Sequence, residues 1–309
     1  MKNGIVVLSL YSMVLFAACS TSQTSLNPST NILPASQQAS KIVQVVAAEN
    51  FYGDIAKQIG GNHVNVTSIL SDPTVDPHEY ESTVRDAVHV SDADVVLYNA
   101  LGYDSWMEKL IAASPNPNRV AIPAGTIVPT VLSDNPHIWY GPDNMLAVAQ
   151  AVRDVLQQKD PADSADFDKN LKAFSDSIAK IQKKMSDIKT QFEGTPIALT
   201  ETIGLYQTGA MGLKVLTPLE FEKAVSEGND PSALDVLLVN KQIDQNQVKL
   251  LVYNRQTVTP ITTNLLKEAK KQNIPQVYLT ETMPQNTTYQ TWMMDQLDAL
   301  QQALQKVLQ

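Results

Sequence analysis

"FDKNLKAFSDSIAKIQKKMSDIKTQF", residues 167–192, places Phe167, Leu171, Phe174, Ile178, Ile181, Met185, Ile188 and Phe192 at alternating spacings of four and three. With about 3.6 residues per turn, that recurrence lines them along one stripe of an α-helix. At roughly 1.5 Å per residue the helix runs about 38 Å, long enough to cross from one domain to another. Asp168, Lys169, Lys172, Asp176, Lys180, Lys183 and Lys184 make up its other face, which reads as solvated. The segment lies between Pro161 and Pro196 and interrupts a different rhythm on each side of it.

Before it, short β-branched runs alternate with helical stretches. "IVQVVAA" (42–48), "VNVTSIL" (64–70), "DVVLYNA" (94–100) and "RVAIP" (119–123) read as strands. Asn50 is a fair N-cap for the helix that ends at Gly60-Gly61, and further helices are expected around 81–90, 104–113 and 142–158. After it, "PIALT" (196–200), "KVLTPL" (214–219), "VKLLVYN" (248–254) and "PQVYLT" (275–280) repeat the strand signal, with helices near 203–212, 231–242, 259–273 and 287–308. Strands alternating with helices predict a parallel sheet covered on both faces. The fold class is therefore α/β: two lobes, residues 41–160 and 195–309, each a parallel sheet flanked by helices, joined by one long rigid helix over 161–194.

The chain of 309 residues is 43% hydrophobic and carries a formal net charge of −9. That balance disfavours nucleic acid or an anionic membrane surface as the main ligand and is compatible with a cation. Residues 1–18, "MKNGIVVLSLYSMVLFAA", combine Lys2 with an apolar run too short to span a bilayer, the pattern of a secretory signal peptide. Cys19 follows directly and is the only cysteine, which excludes an internal disulfide or a thiolate metal cluster. "LFAAC" resembles the bacterial lipoprotein box, in which small residues precede a cysteine that is lipidated, although Phe16 fits that box imperfectly. Residues 20–40 hold no charge and much Ser, Thr, Gln and Asn, the composition of a flexible tether. The folded part would then hang from the outer face of the cytoplasmic membrane, or lie in a periplasm.

In open α/β sheets ligands bind beyond the carboxyl ends of the strands, so polar groups just after strand-like runs are the candidates. His78 in "DPHEYE" and His137 in "NPHIWYGP" each follow a proline and precede an aromatic by two positions; Glu201 ends "PIALTE" and Glu281 ends "PQVYLTE". Proline restricts the residue before it and removes a backbone donor, which helps to hold a loop. Two neutral imidazoles and two carboxylates leave two negative charges that a divalent cation neutralises, so a four-residue metal site is one reading. The other is structural: a loop histidine is commonly a hydrogen-bonded surface residue, and a glutamate at a strand end commonly serves a helix N-terminus. His63 and His89 are read only as surface residues, and Glu79 and Glu81 only as helix-start charges.

At these residues the sequence resembles the substrate-binding lipoproteins of bacterial manganese and zinc ABC transporters, the cluster A-I solute-binding family, over nearly all of 41–309. "DPHEYE" and "NPHIWYGP" match that family's two histidine segments. "TETIGLYQTGAMGL" keeps the register of the third-ligand segment through Glu201, Tyr206 and Gly212, and "YLTETMP" matches the segment that supplies a final acidic ligand, Glu281. Ser82 stands where proline is usual, and Gly141-Pro142 where Asp-Pro is common. The resemblance implies a divalent metal as transported ligand held by His78, His137, Glu201 and Glu281, a permease with its cytoplasmic ATPase as partner, a monomer, and attachment to the membrane through lipidated Cys19. Glu201 in place of a third histidine, and the lack of a His-rich loop, tilt the reading to Mn²⁺ over Zn²⁺, with iron third, although divalent-ion order intrinsically favours zinc. Trp139 and Tyr140 are expected either to wall the cleft or to be core aromatics. Rival readings are a metal-dependent hydrolase, for which no His-Glu-x-x-His signature is present, and a surface adhesin.

Overall fold

The computed structural model describes residues 42–307, apart from 74, 76, 78, 79 and 134. The expected signal peptide, Cys19, the expected tether, His78 and Glu79 therefore lie outside the described residues.

The first lobe holds β1 (Val43–Glu49), β2 (Val64–Leu70), β3 (Val95–Tyr98) and β4 (Val120–Pro123), paired in parallel in the order β2-β1-β3-β4. Between them run α1 (Asn50–Gly60), α2 (Val84–Asp92) and α3 (Ser105–Ala113), followed by α4 (Ala124–Ile127) and α5 (Pro142–Lys159). Val45, Val46, Ala47 and Ala48 of β1 are all buried. Successive strand residues face opposite sides, so an unbroken apolar run of this kind belongs to a strand covered on both faces.

The long helix is α6 (Ser164–Phe192), 29 residues. Seven of the eight stripe residues are buried and Leu171 is half-buried. They pack against α1, α5 and the C-terminal helix α11 (Tyr289–Val307). On its polar face Lys184 departs from the solvated reading, because its ammonium is paired with Asp298 and Gln301 of α11.

The second lobe repeats the first. β5 (Pro196–Leu199), β6 (Lys214–Val215), β7 (Leu251–Asn254) and β8 (Gln276–Leu279) are parallel in the order β6-β5-β7-β8. Its helices are α7 (Leu205–Ala210), α8 (Leu219–Ser226), α9 (Ala233–Asp244) and α10 (Pro260–Lys271). The expected strand at 214–219 stops at Val215, and α8 starts directly after Pro218. Proline lacks the N–H a strand ladder needs but suits a helix start, and that turns an apparent strand end into an unexpected helix.

One apolar core runs through both lobes, taking in Phe51, Trp139, Ile178, Leu199, Leu279 and Trp292. Asn50 contributes to that union in a way its sequence position did not suggest. Instead of capping α1 it is the helix's first residue; its amide donates to the Met283 carbonyl (2.6 Å) and its Oδ1 accepts the Met283 N–H (3.0 Å).

Candidate metal centre

In both sheets the strand order reverses beside the first strand, so β1 and β3, and β5 and β7, open a crevice at their carboxyl ends. Three of the four candidate side chains are delivered there. Glu201 is the second residue after β5, Glu281 the second after β8, and His137 opens the 3₁₀ turn Ile138–Tyr140 that leads into α5. His137, Glu201 and Glu281 each offer a ligand atom within 4.8 Å of the other two, and all three side chains are buried.

The imidazole is held by its neighbours. Asn135 Oδ1 accepts the backbone N–H of His137 (3.0 Å) and also faces Nδ1 at 2.8 Å. An amide oxygen only accepts, so Nδ1 carries a proton, and Nε2 faces Glu281 Oε2 at 4.0 Å. The Asn135 amide in turn donates to Thr202 O (2.9 Å), and Tyr206 Oη donates to Asn135 O (3.0 Å), fastening the histidine loop to the second lobe. Trp139, fully buried, meets the imidazole ring at 5.1 Å and 75°, an edge contact. Tyr140 is equally buried, with its hydroxyl 2.8 Å from Thr280 O. Both aromatics are thus core residues, and Trp139 also packs beside the centre.

The carboxylates share an organiser that sequence reasoning missed. Asn254, the last residue of β7, lies with Nδ2 at 2.8 Å from Glu201 Oε1 and 2.6 Å from Glu281 Oε1. Its Oδ1 accepts the Gln256 N–H (2.9 Å), which fixes the amide so that NH₂ faces the acids. Gln256 Oε1 accepts the Glu281 N–H (2.6 Å), and its amide donates to Val75 O (3.0 Å), three positions before His78. From the first lobe Tyr103 Oη donates to Glu281 Oε2 at 2.9 Å. Tyr103 sits after a turn in which Ala100, Leu101 and Gly102 have φ of 63°, 56° and 82°. Positive φ is costly for Ala and Leu, so something must hold the turn. Asp104 does so, accepting the N–H groups of Asn99 (2.6 Å) and Ala100 (2.8 Å). The Asn99 amide donates to Pro136 O (2.9 Å), linking that turn to the residue before His137. Asn254 and Asn99 both end strand-like runs, so the strand-end rule that selected the glutamates would have found them too.

Acidity is concentrated around this crevice. Burial pushes Asp104 up to about 7, against the pull of its backbone donors. Burial, and then the Asp104 charge, raise Glu49 at the end of β1. Burial, and secondarily the Glu201 charge, push Glu222 of α8 up to about 9. A cavity of 300 Å³ lined by residues including Gly102, Tyr103, Pro136, Thr202 and Ser226 borders the centre between the lobes. A separate cavity of 1040 Å³ lies over β8 and α11 and is lined by none of the three clustered residues.

Comparisons with known proteins agree with this architecture. The chain is 26% identical over 250 residues to the metal ABC transporter substrate-binding lipoprotein ScbA of Streptococcus cristatus, covering 77% of each chain. It is 30% identical over 208 residues to the manganese ABC transporter substrate-binding lipoprotein scaA of Streptococcus gordonii, covering 63% of each. The fold superposes on the periplasmic zinc binding protein TroA from Treponema pallidum with a TM-score of 0.72, over 85% of this chain and 99% of that one, at 19% identity. Residues 45–303 match the model of the family described as ZnuA, zinc-uptake complex component A, periplasmic. A match over that length, nearly the whole of both lobes, makes this chain a member of the ZnuA family.

Proposed function

We propose that the protein is the extracytoplasmic metal-binding component of an ABC transporter, capturing a divalent transition metal between its lobes and delivering it to a membrane permease driven by a cytoplasmic ATPase. The observation that carries this reading is the buried convergence of His137, Glu201 and Glu281 from both lobes. His78 joins them as the fourth ligand. No bond is made or broken: the ion is cargo, and its charge offsets the two carboxylates. The chain is exported, and lipidation of Cys19 holds it at the membrane by the 20–40 tether.

Mn²⁺ is the cargo we assign. Glu201 supplies a carboxylate where a His₃ set has its third nitrogen, which suits a harder ion, while the divalent order gives zinc the intrinsically tighter complex. Selectivity then rests on geometry and metal supply. Because α6 is continuous and one core unites the lobes, release proceeds by local loosening of the loops around His137 and Glu281 under the permease rather than by wide hinge opening.

Calorimetric titration of chelator-stripped protein with Mn²⁺ and Zn²⁺ tests the proposal, comparing wild type with His137→Ala and Glu281→Ala. The expected result is one tight equivalent lost in either variant while the circular dichroism spectrum is unchanged. Retention of the full wild-type number of equivalents in both variants would remove these residues from the role.

A further inference from the structure

His63, set aside as a surface residue in the sequence, stands in a second cluster at the end of α1 opposite the carboxyl ends of the strands. It closes the 3₁₀ turn Gly61–His63 before β2. Opposite lies "DPADSAD", residues 160–166, where α5 passes through a second 3₁₀ turn, Pro161–Asp163, into α6. Aspartates at 160, 163 and 166 recur every three residues, and in a 3₁₀ turn residues three apart eclipse one another, so Asp160 and Asp163 are thrown onto the same side. His63, Asp160 and Asp163 each offer a ligand atom within 4.8 Å of the others.

The imidazole is gripped at both nitrogens. Nδ1 is 2.8 Å from Asp163 Oδ2 and Nε2 is 3.2 Å from Asp166 Oδ2. Phe167 meets the ring edge-on at 5.5 Å, and the Asn170 amide donates to Ile59 O (2.9 Å), tying the start of α6 to the end of α1. The independent sign of a ligand is Asp160. It is 5% exposed, and its Oδ2 is buried with no hydrogen-bond donor. A buried carboxylate facing a second one is costly unless one of them takes up a proton or a positive charge lies between them. Among the described residues, His63 is the one basic group paired with this cluster.

We propose that His63 Nδ1, Asp160 and Asp163 form a second divalent-cation site, separate from the cargo centre, which clamps the entry of α6 to the α1–β2 turn. Asp166 is a positioning residue. By accepting a hydrogen bond from the Nε2–H group it fixes the tautomer that turns the Nδ1 lone pair toward the two carboxylates, the usual arrangement around a metal-bound histidine. One nitrogen and two carboxylate oxygens, at a partly exposed position, suit a first-row ion such as Zn²⁺ or Mn²⁺ with water completing the shell.

The test uses the full chain carrying His137→Ala and Glu201→Ala, so that the cargo centre is disabled and its own failure cannot be mistaken for failure of this site. After equilibrium dialysis against Zn²⁺, this background should retain one equivalent, and adding Asp160→Asn or Asp163→Asn should remove it. In the same background the His63 ring nitrogen resonances should move on adding one equivalent of Zn²⁺, with Nδ1 moving most, and should broaden with Mn²⁺. Two aspartate substitutions, checked by circular dichroism, guard against a variant that merely misfolds. No retained equivalent in the background, or His63 resonances unmoved by either ion, would overturn the site and leave a hydrogen-bonded histidine only.

Discussion

Replacing Glu222 by glutamine should make the metal-free protein progressively more stable than wild type as the pH rises. The Glu222 side chain is 1% exposed, and neither of its oxygens has a hydrogen-bond donor. Burial first, then the Glu201 charge, lift its pKa from 4.5 to about 9. The sign follows from proton counting. Between the two values the folded chain holds a proton that the unfolded chain has released, so stability is intact below about 4.5 and falls until the folded pKa is passed. Each pH unit in that window costs about 1.4 kcal/mol, so pH 5 to 7 costs about 2.7 kcal/mol. Glutamine resembles the neutral acid in shape and does not titrate. Its own burial penalty is a constant offset, and the other raised acids, Glu49, Asp54, Asp104 and Asp160, are common to both chains and cancel in the difference. Urea unfolding in excess chelator at pH 5, 6 and 7 measures that difference directly. The variant should gain about 2.7 kcal/mol on wild type across the series, equivalent to roughly 5–11 °C in melting temperature for a domain of this size. A difference that stays flat over the series would mean that Glu222 is ionised in the fold, and the argument from its burial would fail.

Two further outcomes probe the connection between the lobes and the packing beneath it. Tyr103→Phe removes a buried donor to a carboxylate at 2.9 Å, an interaction worth about 1.5–3 kcal/mol, and should weaken Mn²⁺ binding roughly 10- to 100-fold by calorimetry; unchanged affinity would show that Tyr103 does not orient Glu281. Gly53→Ala would bring a methyl to 2.0 Å from Ser68 Oγ where α1 crosses β2, so chemical unfolding should show a loss of about 1–3 kcal/mol, and the second change Ser68→Ala should restore part of it.

Much of the architecture is legible along the chain because its cause is local. The stripe from Phe167 to Phe192 reports one buried helix face through spacing alone, and β-branched runs alternating with helical segments report parallel sheets. Reading breaks down where the deciding partner is far away in sequence. Asn50 has the look of an N-cap, yet its amide is taken by Met283, 233 positions on. "KVLTPL" carries β-branched and apolar residues, but the strand stops at Val215 and Pro218 caps the start of α8, the helix that carries Glu222.

The same division holds at the centre. Prolines before His78 and His137, and glutamates at the ends of "PIALTE" and "PQVYLTE", mark candidates from strand-end logic alone. The convergence of His137, Glu201 and Glu281, the Asn254 amide between two carboxylates, and the Tyr103 bond across the lobes depend on contacts of 53, 27 and 178 positions. His63 is the sharpest case: nothing within the residues around it distinguishes it from a surface histidine, and its aspartate partner at 166 lies 103 positions away. Sequence by itself determined the periodicities, the strand ends and the residue types available there, because those are set by neighbours along the chain. Only the tertiary structure decided which of those groups face one another, because burial and mutual charge arise when separate elements pack on a common core.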